Sequence, residues 1–428
     1  MKYHKGYKIW KESLKIIDGG TMLYSKNPDR FLPNYWPSYY SKAKGCFIWD
    51  LNNKKYIDFS VMSVGTNILG YANKDINNHV INQIKKSNIS TLNSYSELTL
   101  AKELLKIDKW ADKVRFAKTG GEILAISIRL ARVFSRKDNV AFCGYHGWHD
   151  WYLSSNIQNK KNLNDNLIPN LSSEGIPLNL KKTSFPFKWN DINDFKKVIL
   201  KNNVGTVIME VERNIKPDIK FLKQIQKICK KKKIVLIFDE CTSGFREVYG
   251  GIYKKYNLKP DIVMYGKSLG NGFPISAIVG KNKVMNMSSK TFISSTFWTE
   301  NIGIIAAIQT LKLMKKKKSW LTIKKKGQLI KKEIQKISSK HNLDVKVTGI
   351  DAMPKIQFNK KVDEVYCNFI CYEMLKKGFL FKNTVYLSIS HSDRIIKNFL
   401  KILDNIFYKI KNKKIIKFNS KSDFARYN

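Results

Sequence analysis

The chain has 428 residues, 43% hydrophobic and 12% aromatic, which excludes a mainly disordered state and points to two or three domains. Lys plus Arg number 78 against 34 Asp plus Glu, a net charge of +44. That excess invites a nucleic-acid reading, but only nine of the basic residues are Arg, the better reader of phosphates and bases, and the lysines are spread along the chain.

The N-terminal MKYHKGYKIWKESLK is charged with no apolar run behind it, so no secretory leader is expected. The segment Gly45–Phe59, GCFIWDLNNKKYIDF, reads as a hairpin around Leu51-Asn52-Asn53-Lys54. From about Asp75 to about Thr310 short strands alternate with helices, which predicts an α/β fold with a mostly parallel sheet covered on both faces. Five apolar runs there stop at unusual residues. Val114–Ala117 stops before Thr119-Gly120-Gly121, Val140–Cys143 before Gly144-Tyr145-His146, Val204–Met209 at Glu210, Ile234–Phe238 at Asp239, and Ile262–Tyr265 before Gly266-Lys267. Parallel open sheets bind ligands beyond the carboxyl ends of their strands, so one site built from these termini is expected. Beyond Leu311 the chain is Lys-rich and helical, alternates again over Val345–Phe358, and shows a helix-like stretch near Ser392–Ile410. The last dozen residues have no clear period. No apolar run approaches the ~18 residues of a membrane span. The six cysteines form neither a disulfide framework nor a zinc motif, since Cys367 and Cys371 have no matching second pair. A cytoplasmic setting with reduced thiols is the default.

Individual residues sharpen the site. Thr119-x-x-Glu122 is a capping box, followed by the apolar positions Ile123, Ile126, Leu130 and Phe134. A helix thus starts after a strand with two glycines in its first turn, where bare amides can hold an anion; a plain helix cap is the alternative. Gly266-Lys267-Ser268 is not a P-loop, because Asp261 stands where the first glycine would be. A lysine behind a buried strand can become an amine nucleophile toward carbonyls, though this chain is full of surface lysines. Asp239 closes a strand and wants a cationic partner, which a protonated pyridine nitrogen would be. Tyr145 could stack on a flat ring. Amine, carboxylate, aromatic and phosphate cradle are together the parts of a pyridoxal phosphate site. His146 and His149 have a spacing that could suggest a metal, but no metal is expected.

The chain resembles the class III, fold-type I pyridoxal-phosphate aminotransferases, in particular glutamate-1-semialdehyde aminomutase and its relatives. The resemblance runs from about Ile9 to Ile410 and rests on IIDGGTMLYSK, GCFIWDLNNKKYIDF, NILGY, KTGGEILAISIRLAR, GYHGWHD, IFDECTSGFR, PDIVMYGKSLGNGFPISAIVG and ISSTFWTEN. It implies a fold-type I transferase. A large domain over residues 75–310 would hold a mostly parallel, seven-stranded-type sheet between helices. A smaller α+β domain would span residues 311–428, with residues 1–74 packing on it. It implies pyridoxal 5′-phosphate as cofactor and Lys267, Asp239 and Tyr145 as catalytic residues. Lys267 would hold the cofactor as an internal aldimine, Asp239 would pair with the ring nitrogen, and Tyr145 would cover the ring with Cys241 beneath it. Thr119, Gly120, Gly121, His146, Glu210 and Thr242 would complete the cofactor site, with Thr296 reaching over from a second subunit of a homodimer. Arg246, of the GFR motif, would support the Asp239 turn.

Three stretches depart from the family pattern. The phosphate loop is Thr119-Gly120-Gly121 instead of Ser-Gly-Thr or Ser-Gly-Ser. Lys26 stands where the aminomutase has an arginine, and Trp298-Thr299-Glu300-Asn301 replaces a Gly-Asn-Pro segment. Lys26, Trp298 and Glu300 are therefore expected to select the substrate. The leading expectation is an aminotransferase acting on an amino-acid donor and a small, possibly sugar-like, carbonyl acceptor. Aminomutase chemistry making 5-aminolevulinate is the alternative, and a basic nucleic-acid-binding protein the distant one. No membrane or nucleic-acid partner is expected from the leading reading.

Overall fold

The computed structural model describes residues 5–32, 34–166 and 168–418. In chain order, helix α1 (Lys5–Ile16) precedes strands β1 (Tyr40–Lys44), β2 (Phe47–Asp50) and β3 (Lys55–Asp58). Helices α2 (Lys74–Ile84) and α3 (Tyr95–Ile107) lead to β4 (Lys113–Ala117), α4 (Gly120–Ser135), β5 (Val140–Cys143) and β6 (Ser184–Pro186). Then come α5 (Ile192–Lys201), β7 (Thr206–Met209), α6 (Ile219–Lys231), β8 (Val235–Asp239), β9 (Ile262–Tyr265), β10 (Ser276–Gly280) and α7 (Asn301–Lys317). The C-terminal elements are α8 (Ser319–Lys340), β11 (Lys346–Thr348), β12 (Lys355–Gln357), α9 (Asp363–Lys376), β13 (Phe379–Leu380) and α10 (Asp393–Lys411).

The chain divides into two compact units. One is residues 74–318; the other joins the chain up to Asn73 with the chain from Ser319. The first unit is built on a seven-stranded sheet ordered β4-β10-β9-β8-β7-β5-β6. Strand β10 runs antiparallel to both of its neighbours, and the β9-β8-β7-β5-β6 run is parallel. Strands β5, β7, β8 and β9 are buried at every residue. That is why they read as unbroken apolar runs rather than alternations: both faces are covered. Ile123, Ile126 and Leu130 of α4 pack with Val140, Ile208, Ile237 and Ile278 in this core.

In the other unit, β1, β2 and β3 form antiparallel pairs and β13 adds parallel to β3. The expected hairpin is β2–β3. Its turn is held by the Asp50 carboxylate, which accepts from the Asn52 and Lys54 amides at 2.8 and 2.9 Å. A second cluster there gathers Phe31, Trp36, Tyr56, Cys371 and Leu380.

The lysine excess lies on outer faces. Helix α6 buries Phe221, Leu222, Ile225 and Cys229 and turns Lys220, Lys223, Lys227, Lys230 and Lys231 to solvent. The runs Lys230–Lys233 and Lys315–Lys318 are exposed at the carboxyl ends of α6 and α7, where cations meet the negative pole of the helix. Among the described residues, no helix is long and apolar enough to cross a membrane.

Candidate active site

Strand β8 delivers Asp239 into the interior, 3% exposed. A carboxylate survives there only if its oxygens are satisfied. His146 Nδ1 lies 2.8 Å from Oδ2, and the Cys241 amide donates to Oδ1 at 2.9 Å. The other imidazole nitrogen lies 3.2 Å from the Cys143 carbonyl. His146 is therefore gripped between the end of β5 and the end of β8.

The turn after Asp239 ties three strands together. Arg246, fully buried, donates from Nε to the Thr242 carbonyl at 2.6 Å. The Thr242 hydroxyl accepts from Lys267 Nζ at 2.7 Å. The lysine amine thus rests on the same turn that begins with the carboxylate. Lys267 itself has φ +39°, a left-handed conformation that costs a side-chain-bearing residue about 1–3 kcal/mol and tends to be kept where geometry is functional. Cys241 is the meeting point. A Cβ on Gly120 would stand 3.2 Å from its sulfur, and one on Gly266 3.1 Å. Burial pushes the Cys241 thiol up to about 11, against the pull of the Lys267 ammonium, so it packs rather than reacts. Beside Asp239, burial raises the Glu240 carboxyl to about 7 despite hydrogen bonds from Ser243 and the Ile252 and Tyr253 amides.

A second group forms where β5 and β7 end. Gly144 has φ +113°, and a Cβ there would meet Glu210 Oε2 at 2.9 Å. Glu210 accepts from the Tyr145 amide at 3.2 Å and from Arg213 at 3.0 and 3.3 Å. Tyr145 is half-buried, edge-on to Tyr152 with centroids 6.0 Å apart. Arg213, 5% exposed, is a site residue that sequence reasoning missed; its scarcity as one of nine arginines was the available signal.

The third group surrounds the start of α4. The capping box is present: Thr119 Oγ1 accepts from the Glu122 amide at 3.3 Å, and Glu122 Oε2 accepts from the Thr119 amide at 2.7 Å. Burial works to raise the Glu122 carboxyl, but bonds from Thr119, the Trp298 indole and Lys118 hold it below its ordinary value. The His149 ring packs on Gly121, where a Cβ would stand 2.5 Å from it. Burial lowers the pKa of that imidazole.

The substrate candidates are placed unevenly. Trp298 donates to Glu122 Oε1 at 3.2 Å and lines, with His149, Arg129 and Phe292, a cavity of about 270 Å³. Glu300 caps α7: Oε1 accepts from the Ile302 amide at 2.6 Å, and Oε2 pairs with Lys118 at 2.8 Å. Its carboxylate is thus engaged within the chain. Lys26 is exposed at the end of a short 3₁₀ turn in the other unit. Thr296 is exposed, its carbonyl accepting from the Thr299 hydroxyl, and Phe297 beside it is 67% exposed.

A family model described as "Aminotransferase class-III" matches residues 33–403. A 3-aminobutyryl-CoA aminotransferase of Cloacimonas acidaminovorans is 29% identical, with 86% of both chains covered. A glutamate-1-semialdehyde 2,1-aminomutase of Methanocaldococcus jannaschii is 30% identical over 95% of this chain and 99% of its own. Among solved structures, the internal aldimine form of the FumI protein of Sphingopyxis sp. MTA144 superposes with TM-score 0.85 at 23% identity, covering 96% of this chain and 97% of that one.

Proposed function

The chain belongs to the class-III aminotransferases, and from that premise we propose that it moves an amino group from an amino-acid donor to a small carbonyl acceptor, with Lys267, Asp239 and Tyr145 as catalytic residues. The family's cofactor is pyridoxal 5′-phosphate, which when bound supplies an electrophilic aldehyde and a ring that withdraws electrons from the substrate carbon. The residues present fit it. The carrying observation is the convergence on Cys241 of three parts: the Asp239 turn, the Gly120 backbone, and Gly266 preceding Lys267.

In this proposal Lys267 Nζ would hold the cofactor and, when free, would take the proton from the amine-bearing carbon of the donor. Thr242 holds the lysine amine at 2.7 Å. Asp239 would keep a proton on the ring nitrogen, its own position set by His146 and the Cys241 amide. Tyr145 would shield one face of the ring from water, and Cys241 would pack against the other. The amides of Gly120 and Gly121, in the first turn of α4, receive the phosphate, with Thr119 and Glu122 fixing that turn. Glu210 holds the backbone of Tyr145. We assign Thr296 to the phosphate site of a partner subunit in a homodimer; the exposure of Phe292 and Phe297, 82% and 67%, supports a covered face there.

The acceptor is kept at a small carbonyl compound. A hydroxyl-rich, sugar-like acceptor would need Glu300 to accept its hydroxyls, and that carboxylate already caps α7 and pairs with Lys118. Aminomutase chemistry is favoured by the curated relative of that name that spans nearly the whole chain. Borohydride reduction of the holoenzyme and peptide mapping should place the pyridoxyl group on Lys267; a label elsewhere, or none, sinks the assignment. Product formed only with an external keto acid identifies transfer, and 5-aminolevulinate formed from glutamate semialdehyde without one identifies the mutase.

A further inference from the structure

Beside Glu210 lies a cleft that the catalytic roles leave unused. It has a volume of about 20 Å³ and is lined by Gly144, Trp189, Glu210, Arg213, Asn214 and Ile215. Two of its walls carry buried hydrogen-bond donors with no protein partner, Trp189 Nε1 and Asn214 Nδ2. An unmade buried donor costs about 1–3 kcal/mol, so two in one cleft ask for a ligand. The indole packs on Phe221, with ring centroids 6.2 Å apart, and Asn214 lies in the loop that follows β7. The two donors come from the loops after β6 and β7, and the cleft they share is lined by Gly144 and Glu210 at the ends of β5 and β7.

The chemistry of the cleft narrows what enters. Its charges cancel, because Arg213 is spent on Glu210. A second carboxylate would lie beside Glu210 and repel it. The orphaned donors are neutral and can only give hydrogen bonds, which suits an oxygen that only accepts. The volume admits about one oxygen. Ile215, 47% exposed at the rim, offers an apolar wall to whatever the oxygen is attached to. We propose that this cleft binds the neutral carbonyl oxygen of an acyl group on the substrate, an amide or ester, between Trp189 and Asn214. The inference rests on the aminotransferase reading, since it takes the occupant to be a substrate of that reaction.

The test uses holoenzyme and three amines of one skeleton: 3-aminobutanamide, 3-aminobutanoate and 2-aminobutane. Equilibrium affinity is read from the cofactor absorbance and corrected to the free-amine form of each. Two neutral hydrogen bonds should make the amide bind about tenfold more tightly than either other amine. Trp189→Phe and Asn214→Leu, which keep the shape and remove the donors, should each cut that preference several-fold while leaving 2-aminobutane unchanged. Equal affinities, tightest binding of the carboxylate, or a preference that survives both substitutions would overturn the assignment. Unfolding is excluded by the unchanged response to 2-aminobutane. Holoenzyme that responds to amines without favouring the amide sinks the cleft alone; protein with no cofactor on Lys267 sinks the reading beneath it.

Discussion

Relative to wild type, Glu240→Gln should gain stability as pH rises from about 5 to 8, and the gain should fade on acidification. Glu240 is fully buried beside Asp239, and burial raises its carboxyl from 4.5 to about 7. In the unfolded chain it ionises near 4.5, so between that pH and about 7 the folded state holds the extra proton. Stability then falls as pH rises through this window, because the unfolded state releases its proton first. The shift amounts to roughly 3 kcal/mol above the window, most of it lost between about pH 5 and 8. Glutamine keeps the geometry: its carbonyl can accept from the Tyr253 amide, as Oε1 does at 2.9 Å, and its NH₂ can donate to Ser243 Oγ, which lies 2.5 Å from Oε2. Any fixed cost of the substitution is the same at both pH values and drops out of the comparison. Urea unfolding of both proteins at about pH 5 and 8 measures the change in their difference. A difference that stays constant across the window would show that Glu240 titrates alike in folded and unfolded chains, and the reasoning would fail.

Asp239→Asn should keep the fold and lose most activity, because an amide cannot hold a ring nitrogen protonated; turnover within a few-fold of wild type in steady-state kinetics would remove Asp239 from that role. Gly144→Ala should lower stability by about 1–3 kcal/mol, since its φ of +113° suits glycine and the new methyl meets Glu210 at 2.9 Å; an unchanged denaturation midpoint would contradict this. Mixing Lys267→Ala chains with Thr296→Ala chains should restore part of the activity through heterodimers with one complete site, and no recovery in verified heterodimers would count against shared sites.

Much of the framework is set by local pattern. A strand buried on both faces must be apolar throughout, so the runs at Val140–Cys143 and Ile262–Tyr265 mark β5 and β9 to the residue. A helix start needs its donors satisfied, so Thr119 and Glu122 announce α4 before any fold is known. Lys267 and Asp239 stand out because charged groups directly after such strands are costly unless used. Strand pairing is another matter. Nothing in Ser276–Gly280 says that it inserts between β4 and β9, antiparallel to both, because direction depends on where the chain returns. The same holds for side chains whose partners are remote. Glu300 looks like a free carboxylate until Lys118, 182 residues away, is found on it. Trp189 and Asn214 carry no local signature at all. They become a pair only when the loop before α5 and the loop after β7 are brought to one cleft, and only burial there turns two ordinary polar groups into donors that lack an acceptor.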